Sequence, residues 1–200
     1  MISPVLIWGG ALAVYAVFYI WYHGFDGRLR QDEIDEFFAR VDVDQLGVEE
    51  QEKFEGLRRF CEADDGRDFV MVNLIAYNPP VRESVKTLNI YQKAFLGALL
   101  RSGGHPLAVA RGAGKNVELW GVENGDDWHL AALIRYRSRR SMLNALSGDA
   151  FTDTHHHKVN ALLKTIAFPA SPYFVVGGGP KFLVPLLLAF IAMTCQYLIA

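Results

Sequence analysis

The sequence is short of cysteine, short of net charge and, at both ends, without charged residues. Its 200 residues include only two cysteines, Cys61 and Cys195, which excludes a small scaffold stapled by disulfides. The formal net charge is −2, so a nucleic-acid reader driven by bulk electrostatics is excluded and no nucleic-acid partner is expected. Apolar residues make up 51% and charged residues 21%, too apolar a balance for a disordered chain. The sequence contains no phosphate loop, nucleophile elbow or H-x-x-x-H metal spacing. The length fits one domain with an appendage.

The uncharged ends are the appendage. No Asp, Glu, Lys or Arg occurs in residues 1–23 or 182–200. Each stretch approaches the roughly 20 apolar residues that cross a bilayer core, and Trp21, Tyr22 and Tyr197 sit where interfacial aromatics are favoured. The first lacks the basic leader and small-residue cleavage site of a signal peptide, and the second lacks the polar spacer of a lipid-anchor signal. Two transmembrane helices, 1–23 and 181–200, are therefore expected, with the lipid bilayer as a partner. Arg28 and Arg30 follow the first and Lys181 precedes the second, so residues 24–180 are expected in the cytoplasm and both termini outside.

Between the spans the charge separates into two zones. Residues 24–67 carry 14 acids and 7 bases, whereas residues 68–180 carry 8 acids and 12 bases. The acidic zone predicts two short helices. The first, over 31–41, lines up Ile34, Phe37, Phe38 and Val41; the second, over 48–63, lines up Phe54, Leu57, Phe60 and Cys61. They read as a solvated collar between membrane and domain.

The second zone alternates strands and helices. FVMVNLIAY at 69–77 predicts a central strand. An amphipathic helix follows over 84–101, closed by Gly103 and Gly104. Residues 105–122 read as extended, residues 123–126 as a hairpin turn, and WHLAALIRYR at 128–137 as a strand. Ser138 is placed to cap a helix running to about residue 146. A helix over 149–163 and a last strand at 173–176 complete the pattern. The order β-α-β-β-α-β predicts an α+β, ferredoxin-like domain over 68–180, with an antiparallel sheet covered by helices on one face. Its other face needs a cover, and a second copy of the sheet is the simplest one.

The segments DDGRDFVMVNL, SGGHPLAVARG, DWHLAALIRYRSRRSML and HHHKVNALL resemble the small dimeric α+β barrel proteins, and most closely an uncharacterised bacterial family of that type. The resemblance spans about residues 64–176. It covers neither apolar span nor the acidic zone, and it implies a homodimer whose sheets face each other around a central cavity. The spans themselves are expected in a bacterial inner membrane. Relatives in the wider group include cofactor-independent oxygenases, haem-degrading enzymes, isomerases and non-catalytic members, so fold does not decide function.

Four residues stand out as site candidates. Asn73 is an amide in an otherwise apolar strand. Its alternatives are a structural hydrogen bond or a place on the cavity wall, and the resemblance implies that such an amide orients substrate or oxygen. Strict alternation puts His129, Leu133 and Arg135 on one face of their strand and Trp128, Ile134 and Tyr136 on the other. His129 and Arg135 would converge there if that face lines the cavity. His155 opens a run of three histidines that point about 100° apart on a helix, so they cannot grip one metal together and no metal site is expected. One of the three could act as acid or base. Arg137, Arg139 and Arg140 read as a solvated face. The sequence thus leads to a membrane-anchored dimer that handles a small, largely apolar molecule in an inter-sheet cavity, as a cofactor-independent oxygenase or isomerase. Haem is the one cofactor considered. The alternative is a non-catalytic accessory subunit of a larger membrane complex.

Overall fold

A computed structural model describes residues 3–40, 48–121, 127–147, 154–172 and 179–199. The chain divides into two compact units, one formed by Met1–Phe25 with Pro172–Ala200, the other by Asp26–Ser171.

The first unit holds two apolar helices, α1 (Pro4–His23) and the last helix of the chain, Gly179–Ile199. Ser3 caps α1 by accepting a hydrogen bond from Val5 N at 3.3 Å, and Pro4 fills the first turn, where its missing N–H costs nothing. Both helices are long and apolar enough to cross a membrane, and both are almost wholly exposed. They meet through a polar contact in which Trp8 Nε1 donates to Gln196 Oε1 at 2.9 Å.

The second unit contains α2 (Gln31–Phe38), α3 (Val48–Glu62), β1 (Phe69–Tyr77), α4 (Val81–Arg101), β2 (His105–Arg111), β3 (Leu130–Tyr136), α5 (Arg139–Leu146), α6 (His155–Ala161) and β4 (Leu162–Ala170); α7 is the last helix. The sheet order is β2-β3-β1-β4 with every neighbouring pair antiparallel. This is the split β-α-β arrangement, in which β3 inserts between the strands that α4 connects. The reading of an α+β, ferredoxin-like domain holds.

Three boundaries differ from expectation. The extended stretch 105–122 is a strand only over His105–Arg111. The helix expected to reach residue 163 stops at Ala161, and the chain turns directly into β4. The fourth strand is therefore Leu162–Ala170. The segment 173–176, expected to supply it, lies outside the described residues, as does the turn at 123–126. Pro169 is tolerated in β4 because β4 is an edge strand, where a missing N–H breaks no ladder.

Phe69, Ile75 and Tyr77 face the helices. Phe69 joins Leu99 of α4, Tyr136 of β3, and Met142 and Leu143 of α5 in one core cluster; Ile75 and Tyr77 join Leu88, Tyr91 and Ala161 in a second. Ile34 and Phe38 of α2 and Cys61 of α3 belong to the first cluster. The acidic segment is thus an integral layer of the domain, and its apolar stripe is spent on the same core.

Ionic contacts fix that layer. Arg137, Arg139 and Arg140, expected on a solvated face, have side chains only 13–18% exposed. Arg137 pairs with Asp26 at 2.8 Å and Arg140 with Glu33 at 2.8 Å. Arg139 lies over the Phe60 ring at 4.2 Å, donates to Phe60 O at 2.7 Å and faces the buried Asp64 at 3.5 Å. Asp64 Oδ2 in turn accepts from Leu29 N at 2.7 Å. The opposite charges of the two sequence zones are partly used up against each other.

Candidate functional site

The sheet has two faces of different character. On the helix-free face, register sets two rows across the strands: Phe168, Val72, Leu133 and Ala108, then Ile166, Leu74, Ala131 and Ala110. Leu133, Ile166 and Phe168 remain 37%, 43% and 48% exposed. This is a contiguous apolar surface whose neighbours are mostly alanine and valine.

Arg135 closes one end of the same face. It is 5% exposed, pairs with Asp68 at 2.9 Å and donates to Gly103 O at 2.9 Å. The guanidinium thereby ties β3 to the turn after α4. Gly104 must be glycine at this point, because a Cβ there would lie 2.8 Å from Arg135 O and 2.4 Å from a Leu99 methyl.

His129 precedes β3. Its Nδ1 accepts from Tyr77 N at 3.2 Å, its ring lies 5.5 Å from that of Tyr77, and its own N–H donates to Ile75 O at 2.8 Å. It fastens the far end of the β1–β3 ladder. Six residues separate it from Arg135, roughly 20 Å along an extended strand, so the two do not converge.

Asn73 lies across the sheet from the apolar rows, on the helix side. It is half-buried, between Ala132 of β3 and Ala167 of β4, and its amide donates to Met71 O at 3.1 Å and Ala132 O at 3.4 Å. Its flanking residues are small, and it does not share a face with Arg135.

The helix side also carries a group around Tyr91. Tyr91 stacks on Phe95 at 5.5 Å, His155 approaches its edge at 6.4 Å, and the Lys158 amine lies 5.6 Å from the ring centroid. Among the three histidines, His155 is the one directed at Tyr91, whereas His156 is exposed. Burial pushes the His155 imidazole down to about 4, with the nearby Lys53, Lys158 and His156 charges adding to the effect. Burial likewise lowers the Lys158 amine to about 8, with Lys53 contributing. Sequence reasoning passed over Lys158, whereas Tyr91, readable as an ordinary core aromatic, is indeed buried in the second cluster. That Lys158 and His155, three residues apart on α6, both approach Tyr91 becomes visible only once α6 is known to lie on α4.

No family model matches the chain, and no curated protein matches it. Solved structures do. A protein of unknown function from Rhodopseudomonas palustris matches at 16% identity and a TM-score of 0.50, over 62% of this chain and 95% of that one. Its methylated form matches at 16% identity and 0.51, over 64% and 94%. A dimeric protein of unknown function with a ferredoxin-like fold from Bacteroides fragilis matches at 10% identity and 0.36, over 52% and 96%. The two likenesses to the Rhodopseudomonas palustris protein agree with the α+β, split β-α-β arrangement that the strand order gives. At such identities the likeness concerns fold alone.

Proposed function

We propose that this chain is a membrane-anchored α+β domain that pairs sheet to sheet with a second copy of itself and holds a small, largely apolar molecule between the sheets. The observation that carries the reading is the uncovered apolar face of Val72, Leu74, Leu133, Ile166 and Phe168. Burying a Leu, Ile or Phe side chain fully contributes about 1.5–3 kcal/mol. The three half-exposed residues, doubled by symmetry, supply several kcal/mol toward pairing. β4 supports the same reading, since Thr165, Ala167 and Pro169 on its opposite face are also exposed and a partner at this edge would shelter both faces.

The anchors are α1 and α7 in a bacterial inner membrane, with residues 24–180 cytoplasmic and both termini outside, in keeping with Arg28, Arg30 and Lys181 at the inner ends. The chemistry that suits an apolar, inter-sheet site without a cofactor is oxygenation or isomerisation; a Soret band in the purified protein would oppose that assignment. One observation favours a second reading, a non-catalytic accessory subunit of a larger membrane complex: Arg135 and His129 are already committed to bonds that hold the sheet together. Light scattering of the full chain in detergent tests the pairing. A dimer is expected, Leu133→Asp should yield a folded monomer, and a well-folded wild-type monomer refutes the proposal. A partner of fixed stoichiometry that copurifies decides for the accessory role.

A further inference from the structure

The pairing proposed above has a geometry that the strand ends decide. The chain enters β1 beside Tyr136 and leaves β4 beside Val70. Asp26 is held at the same end by Arg137, which follows β3. Both connections to the apolar helices therefore leave the domain from one end of the sheet. Two facing, aligned sheets are related by a two-fold axis that runs either along the strands or across them. Only the first keeps both anchored ends on one side, as two copies in one membrane require. That axis sets β2 of each copy opposite the partner's β4, because these are the two edges of the order β2-β3-β1-β4.

The loop that follows β2 lies at the other end, roughly 20 Å along the strands. We propose that residues 112–121 of each copy dock on the far end of the partner's β4, so that Trp120 closes the inter-sheet space beside the partner's Ile166. This docking rests on the self-pairing reading and adds to it a residue that each copy lends to the other.

Four features support it. Val117 and Trp120 are almost wholly exposed, Trp120 at 89%, and Leu119 is half-exposed, so the tip adds little to the core of its own copy, while Trp120 alone offers about 150–250 Å² to bury. The base of the loop is fixed to the approach to β3. Gly112 N–H donates to His129 O at 2.9 Å, a Cβ at Gly112 would collide with Trp128 O, and Asn116 N–H donates to Asp127 Oδ1 at 3.3 Å. Facing sheets pack about 10 Å apart, a gap that a loop of this length crosses. At the receiving end, Ile166 is exposed on the open face and Lys164 shares that face two residues away; Glu118, between Val117 and Leu119, brings the opposite charge. The anchored end of the face is already occupied by the Arg135–Asp68 pair, so the docked loop closes the end that remains.

Disulfide formation in the full-length protein in detergent tests the docking. Cys61 is fully buried and stays, and Cys195→Ser removes the thiol of α7. Val117→Cys and Ile166→Cys are placed on two differently tagged copies, coexpressed and oxidised with copper phenanthroline. The two tags should become linked at least tenfold faster than when Ile166→Cys is replaced by Lys93→Cys, an exposed position on α4. Adding Leu133→Asp to both copies should abolish the link. Trp120→Ser should raise the dimer dissociation constant at least tenfold and leave the melting temperature of the Leu133→Asp monomer unchanged. A wild-type monomer refutes pairing and docking together. A wild-type dimer whose dissociation constant changes less than twofold in Trp120→Ser, or in which Val117→Cys links no faster to Ile166→Cys than to Lys93→Cys, overturns the docking and leaves the pairing standing.

Discussion

Arg140 offers the sharpest quantitative test of how the acidic segment is held. Its guanidinium donates to both carboxylate oxygens of Glu33, at 2.9 and 2.8 Å, and to the carbonyls of Asp26, Gly27 and Arg28. Glu33 also accepts from Arg30 N at 2.9 Å, closing the first turn of α2. The Arg140 hydrogen bond, followed by the Arg30 backbone bond, lowers the Glu33 carboxyl from 4.5 to about 2. Taken at face value that drop corresponds to roughly 3 kcal/mol. Because the Glu33 side chain is 29% exposed, solvent screening reduces it to about 1–2 kcal/mol.

Arg140→Ala should therefore destabilise the domain by about 2 kcal/mol, less than the sum of its five bonds because water replaces it at the exposed carbonyls. Glu33→Gln should cost about 1 kcal/mol, and the double-mutant cycle should return a coupling of about 1–2 kcal/mol. The folded-state value is depressed, so the Glu33 contribution is complete above about pH 4.5 and disappears as pH falls toward 2. His155, also depressed but titrating from 6.5 to about 4, erodes stability at higher pH and does not overlap the lower half of that range. Urea melts of the full chain in detergent at pH 7, 4.5 and 3 read both effects. A coupling below about 0.5 kcal/mol, or an unchanged loss between pH 4.5 and 3 in Glu33→Gln, refutes the clamp as a source of stability.

Other expectations are equally direct. Gly104→Ala should cost about 1–3 kcal/mol, read as a lower melting temperature, because the new methyl meets Arg135 O and a Leu99 methyl. Arg135→Ala should destabilise by about 2 kcal/mol in urea melts, since it leaves Gly103 O without its buried donor while water can reach the partly exposed Asp68 carboxylate. Ile134→Asp, one residue from Leu133 but packed on the first core cluster, should prevent folding, as followed by circular dichroism. Asn73→Ala should cost about 1 kcal/mol if the two backbone bonds are the whole of its role; a change below about 0.5 kcal/mol, with loss of ligand retention, marks it as a wall of a binding site.

The regular parts of the fold were legible because local and tertiary demands agree. β1 combines β-branched and apolar residues over nine positions, and the structure forms it at those residues. Ser138 was readable as a cap, and its Oγ accepts from Ser141 N at 3.1 Å while Ser141 returns the bond. β4 was not legible. LLKTIAFPA holds a proline, follows a helix without a turn residue and keeps most of its side chains exposed, so neither alternation nor burial marks it. The period-2 reading put Leu133 and Arg135 opposite Ile134 and Tyr136 and was correct in that. Alternation gives relative faces only, however, and left unsaid that Asn73, two residues from Ile75 on β1, belongs with the helices. The arginines after β3 were misread because a run of like charges is usually solvated. The missing signal was complementary: a segment of 44 residues with twice as many acids as bases lies upstream in the same chain.

The sheet is one strand thick, so its alternation does more than bury a core. Every odd residue of β1 from Phe69 to Tyr77 is assigned to the helix side and every even residue to the open side. Substitutions in the row Phe168, Val72 and Leu133 can then alter the proposed self-pairing without touching Tyr91 or Asn73. Arg135 and His129 separate the roles further, because each is held at one end of β3 by backbone bonds that fix strand register. Register in turn keeps each side chain on its face, since a slip of one residue would exchange the two surfaces. The pairing surface proposed above can thus be mutated without disturbing the helix-side core, and Arg135 and His129 are the two polar residues that hold the faces in place.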